Sequence, residues 1–138
     1  MKTGLNLFAI AILFASCTTS TQQTKPVSIS DLNYMEISLE NEKPWIANIE
    51  TTEGIANMLS FVQEFSGDYT TLHADLEQEF QSLFLKCSMT GEAHNQLHNY
   101  LIPMVAYFED IAKDDAEVSA PAISELEIHL RAYSLFFE

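Results

Sequence analysis

The chain is expected to fold as an all-α protein: an antiparallel up-down-up-down four-helix bundle that follows a signal peptide and a flexible tether. Three observations predict this. Apolar residues recur at three- and four-residue spacing through most of the sequence after residue 44. Turn signals divide that pattern into four segments of about 20 residues each. The first twenty residues, by contrast, carry an uninterrupted apolar run rather than a periodic one.

That run defines the first element. Met1-Lys2-Thr3 is a short positive start, Leu5 to Phe14 is apolar apart from Asn6, and no further charge occurs until Lys25. A charged start, an apolar stretch and small residues at its end form a secretory signal. A permanent transmembrane helix needs roughly 20 apolar residues, more than this run supplies. Ala15-Ser16-Cys17 closes it. Small residues before a cysteine resemble the lipobox of bacterial lipoproteins, with Phe14 standing where leucine is commonest. The resemblance implies cleavage after residue 16 and lipidation of Cys17 with diacylglycerol and fatty acyl chains such as palmitate. The alternative is an ordinary signal peptide with a chance cysteine. Residues 1–16 are thus read as signal, 17–43 as lipidated tether and N-terminal arm, and 44–138 as the bundle.

Charge narrows the partners. Loss of Lys2 with the signal leaves 20 acidic against 5 basic residues, a net charge of −15. Such a chain repels nucleic acid and anionic headgroups, so its membrane attachment rests on acyl chains. With Cys17 lipidated, Cys87 is the one remaining thiol and an intramolecular disulfide is impossible.

Residues 18–30 are rich in Ser, Thr and Gln and form the tether. Residues 31–41, with Leu32, Tyr34, Ile37 and Leu39 among polar neighbours, suit a short strand or an extended arm lying on the domain. The first helix is expected to start near Pro44, with Ile46, Ile49, Ala56, Leu59 and Val62/Phe65 as its stripe, and to end at Ser66-Gly67-Asp68. The second spans residues 69–86, with Leu72, Leu76, Phe80 and Leu83 on one face. The third spans about 92–113 behind Thr90 as N-cap, with Ala93, Leu97, Leu101, Met104, Phe108 and Ile111 inward and a kink near Asn99 caused by Pro103. The fourth starts near Pro121, is expected to run almost to residue 138, and turns Ile123, Leu126, Leu130, Tyr133 and Phe137 to the core. Short turns force neighbouring helices antiparallel. Trp45, Cys87, Met89, His94 and Phe137 then share one end of the bundle.

One constellation carries candidate chemistry. Cys87, Met89, His94 and His98 bring four metal-donor side chains into twelve residues. His94 and His98 are one helical turn apart on the same face, where two imidazoles reach one ion. Thiolate and thioether are soft donors and imidazole suits copper and zinc, so the set favours copper, then zinc. Glu79 is expected to orient His98, and Trp45 to roof the site. The bland alternative makes Cys87 a small buried hydrophobe and Met89 a core plug.

The same stretch, Cys-Ser-Met-Thr-Gly-Glu-Ala-His-Asn-Gln-Leu-His from Cys87, resembles a segment of small four-helix lipoproteins of flavobacterium-like bacteria. Trp45 to Ile55 and the closing Tyr133-Ser134-Leu135-Phe136-Phe137 extend the resemblance over most of the mature chain. It implies a helical-bundle lipoprotein and no defined activity.

No Glu-x-x-His, His-Glu-x-x-His, Cys-x-x-Cys or glycine-rich phosphate loop is present. The chain is therefore read as non-enzymatic. His73 and His129 are read as surface or core residues. Thr18 after Cys17 points, by analogy with other lipoproteins, to the outer membrane, facing the periplasm. The competing reading is a non-catalytic interaction module that docks on another envelope protein, with Phe136 and Phe137 as an exposed aromatic tail.

Overall fold

A computed structural model describes residues 36–138; the signal, Cys17 and the tether lie outside them. The described chain is all-α: α1 (Ile49–Gln63), α2 (Tyr69–Lys86), α3 (Gly91–Ile111) and α4 (Ala116–Arg131), followed by a 3₁₀ turn (Ala132–Leu135). The helices pack in a ring. α1 lies against α2 and α4, α3 against α4, and α2 more lightly against α3. Among the described residues there are isolated β-bridges and no strands.

Helices α2, α3 and α4 bury most of the stripes their spacing predicts, with Phe80 and Ala93 only half-buried, and α4 ends at Arg131, so that Tyr133 and Phe137 are buried from beyond the helix. Leu72, Leu76 and Leu83 are buried on α2; Leu97, Leu101, Met104, Phe108 and Ile111 on α3; Ile123, Leu126 and Leu130 on α4. Burial of each leucine side chain contributes on the order of 2 kcal/mol. α3 runs through Pro103. α4 starts five residues before Pro121, because Asp115 caps it by accepting from the Glu117 N–H. Thr90 occupies the N-cap of α3 but makes no side-chain cap bond.

α1 departs most from expectation. Residues 44–48 are not helical. Trp45 forms a parallel bridge with Phe137: its N–H donates to Phe136 O, its carbonyl accepts from the Glu138 N–H, and the Ala47 N–H donates to Glu138 O. Commitment of these backbone groups to the chain end delays the helix to Ile49, behind Asn48. The inward face is also rotated. Ile46 and Ile49 are exposed, whereas Thr51, Gly54, Ile55, Met58 and Val62 are buried. Gly54 permits the approach of α2: a Cβ there would stand 3.3 Å from Leu83 Cδ1 and 3.4 Å from Glu79 Oε1. Thr51 tolerates burial because its hydroxyl bonds Asn48 Oδ1 at 2.7 Å.

From Glu36 the arm is extended and lies on the bundle, while its Leu32 and Tyr34 lie outside the described residues. Ser38 N–H donates to Gln96 Oε1 and Glu36 O accepts from Asn99 Nδ2, both at 2.8 Å. A bridge between Glu40 and Lys43 then turns the chain into Trp45, whose indole N–H donates to Ser38 O. Phe136 and Phe137 are buried rather than exposed. Phe137 stacks on Tyr133 at 5.1 Å and meets Tyr100 edge-on. An exposed aromatic tail is therefore not a feature of this protein.

Candidate functional site

The α2–α3 junction is built from a C-cap, three extended residues and a glycine. Cys87 leaves the helix with φ −61° and ψ 120° while its N–H still donates to Leu83 O. Gly91 then adopts φ +66°, a region that L side chains rarely enter, and starts α3. This reversal folds Cys87 back along the first turns of α3.

Its sulfur lies 3.8 Å from Nδ1 of His94. The other nitrogen of that ring, Nε2, lies 3.0 Å from Nε2 of His98, a hydrogen bond in which one of the two nitrogens donates and the other accepts. The two rings are tilted by 72° with centroids 4.5 Å apart. Phe84, itself partly exposed, packs against His98 at 5.9 Å. Both imidazoles and the thiol are half-buried. Around them the first turn of α3 is well bonded. Glu92 accepts from the Gln96 and Asn95 amides, which hold its carboxyl below the usual range. Gln96 passes the connection on to Ser38 of the arm. On the other side, burial pushes the Tyr133 phenol above its ordinary value; its contact with Thr52 opposes this, and the nearby Cys87 adds to the rise.

The four proposed donors do not converge. His94 uses opposite edges toward Cys87 and His98, so the sulfur and the His98 nitrogen do not face the same point. Met89 is half-buried and lines a shallow cavity with Ile46, Ala47, Asn48 and Ala93; no hydrogen-bonding contact links it to either ring. Among the described residues, no group of three or more Cys, His, Asp or Glu is arranged to hold a metal ion. What remains is a pair of imidazole nitrogens. Two nitrogens that each stand about 2.0–2.1 Å from one ion are about 2.9 Å apart at right angles and about 3.3 Å apart at the tetrahedral angle. The observed 3.0 Å falls between these values.

Among the described residues neither Glu79 nor Trp45 hydrogen-bonds the pair. Glu79 Oε1 accepts from Asn57 Nδ2 at 3.1 Å, across the α1–α2 contact. The Trp45 indole N–H is committed to Ser38, and the Trp45 backbone to the chain end. The start of α1 does reach the junction, because Asn48 Nδ2 donates to Lys86 O at 3.3 Å.

His129 has a role that spacing did not single out. It is fully buried, with Nε2 at 2.8 Å from the Tyr100 carbonyl, while the Tyr100 hydroxyl donates to the His129 carbonyl at 2.9 Å. Burial lowers its pKa to about 4, with the Tyr100 bond opposing. The available signal was its place at three residues after Leu126, on the inward face of α4. His73 lies 3.6 Å from Glu77, an i,i+4 pair on the surface of α2.

The sequence matches no protein-family model, and comparison with curated proteins and with solved structures gives no significant match. The functional reading therefore rests on the chain's own geometry.

Proposed function

We propose that this chain is an envelope lipoprotein, anchored through Cys17, whose helical domain binds one borderline metal ion between His94 and His98. The observation that carries the reading is the 3.0 Å separation of the two Nε2 atoms. With each ring's proton on Nδ1, two Nε2 atoms at that distance offer their lone pairs to a common ion, which would replace the hydrogen bond between them, and water completes the coordination. Without Met89, the preference for a soft copper(I) site loses its basis. Copper(II) or zinc is the better match to an imidazole pair. The role in this reading is binding rather than turnover.

The lipobox-like Ala15-Ser16-Cys17 supports the anchor, and the resemblance to small flavobacterium-type lipoproteins agrees with it. The position is the outer membrane, facing the periplasm. An antiparallel up-down order fits the short turns and the meeting of Asn48 with Lys86. Incorporation of a labelled fatty acid, lost in Cys17→Ala, tests the anchor. For the metal, the full chain in detergent is titrated with zinc(II) by calorimetry. One equivalent is expected to bind, and binding is lost in the His94→Ala/His98→Ala variant. Absence of binding to the wild type rejects the reading.

A second reading, an interaction module of the envelope, is favoured by one observation: Phe84, Leu85, Ile102 and Val105 of α2 and α3 are exposed apolar side chains. Photo-crosslinking from position 85 in the intact envelope tests it, and a single crosslinked partner is the supporting result.

A further inference from the structure

We infer that Cys87 is a positioning residue for the metal site, acting through His94 as the acceptor for its Nδ1–H rather than as a ligand. The inference rests on the metal-binding reading above. It begins with the two edges of one ring. For His94 to bind an ion through Nε2, the nitrogen facing His98, its single proton must sit on Nδ1. That nitrogen faces the Cys87 sulfur at 3.8 Å. A thiol sulfur is a weak acceptor and a thiolate a better one. Bound imidazoles in proteins characteristically donate their second N–H to a carboxylate or carbonyl, which fixes the tautomer and the ring orientation. Here a sulfur stands in that place, supplied by the C-cap of α2.

The surroundings fit such a role. The Cys87 backbone is held by its bond to Leu83 O, so the sulfur is anchored by the helix end. Glu79, the carboxylate expected to serve the pair, is occupied by Asn57, and no other carboxylate hydrogen-bonds either ring among the described residues. Metal binding withdraws electron density from the ring, makes Nδ1–H more acidic and shortens the contact with sulfur. Among the described residues no corresponding acceptor bonds His98, whose ring meets Phe84 instead. The two ligands are therefore unequal, with His94 the oriented one.

The experiment is an anaerobic titration of the full chain in detergent with cobalt(II), followed by absorption spectroscopy. Wild type is expected to show weak visible ligand-field bands and no thiolate-to-cobalt charge-transfer band. Cys87→Ala is expected to bind cobalt about 10–100-fold more weakly, the usual consequence of losing an outer-shell partner. Cys87→Asp, which restores an acceptor, is expected to recover most of that loss. Far-UV circular dichroism of each variant verifies the fold, and the wild-type spectrum requires no variant. A charge-transfer band in the wild type makes Cys87 a direct ligand and overturns the inference while leaving the metal site standing. Unchanged affinity in Cys87→Ala overturns it as well. No cobalt binding to the wild type removes the metal reading itself.

Discussion

His129 lies fully buried between α3 and α4, whereas His94 and His98 stand half-buried where α2 hands over to α3. His129 Nε2 is committed to a backbone carbonyl, and the Tyr100 hydroxyl closes the exchange from the other side. The imidazoles of the junction have nitrogens turned toward one another and toward a thiol. A histidine bonded to the main chain in a dry interior holds helices together. Two that bond each other near the surface are the pair to which the proposed function assigns a ligand. The packing around them differs in the same sense: α3 and α4 are closely joined, while α2 and α3 touch more lightly and leave Phe84 and Leu85 exposed.

The largest expected effect comes from exchanging the two roles. His129→Ala should destabilise the domain by about 3–4 kcal/mol, since it leaves a cavity and strips the Tyr100 carbonyl of a donor. The His94→Ala/His98→Ala variant should stay within about 1 kcal/mol of wild type, as expected for half-exposed positions. Urea denaturation of both variants measures this, and equal losses would break the contrast.

Acid should act on the buried member. The free imidazole titrates near 6.5 and His129 in the fold near 4. Below pH ~6.5 the unfolded chain takes up a proton that the folded chain refuses, so stability falls as pH drops, with the loss complete below about 4. Its size is on the order of 3 kcal/mol. Denaturation midpoints measured from pH 7 to pH 4 should fall less steeply in His129→Gln than in wild type. Parallel curves would remove His129 from the account.

Gly54→Ala sharpens the view of the α1–α2 contact. Alanine favours a helix by about 1 kcal/mol over glycine, while overpacking costs about 1–3 kcal/mol. Leu83 is 1% exposed and has little room to move away from the new methyl. A net loss of about 1 kcal/mol in stability, read from a lower thermal midpoint, is expected; a gain would show that the helices separate freely. The smallest effects concern caps. Asp115→Ala should cost about 1 kcal/mol because a side-chain bond is lost. Thr90→Ala should cost a few tenths, because Thr90 makes none. Equal losses in the same denaturation series would contradict the looser state of the α2–α3 junction.

Much of the architecture could be read before any coordinates. The leucines of α2, and Leu126 and Leu130 of α4, are buried because apolar residues at helical spacing must share a face and that face must leave water. α1 could not be read the same way. Its inward face includes Thr51 and Gly54, one bonded to Asn48 and the other buried for lack of volume, and neither reason appears in a hydropathy pattern. The delay from Pro44 to Ile49 has a long-range cause as well, since Trp45 pairs with residues some ninety positions away. At the site, the i,i+4 spacing was sufficient to bring His94 and His98 together. It did not say which nitrogen of His94 would meet the sulfur, that Met89 would line a cavity with Ile46 and Ala47, or that Glu79 would serve Asn57.

Sequence alone determined the number of helices, most of their faces and the adjacency of two imidazoles, because all three follow from the direction in which a side chain leaves its own helix. Tertiary structure decided the rest: which ring edge Cys87 addresses, how Trp45 and Ala47 clasp Phe136 and Glu138, and that His129 is sealed against Tyr100. These depend on where separate segments come to rest against one another, and no local period encodes that.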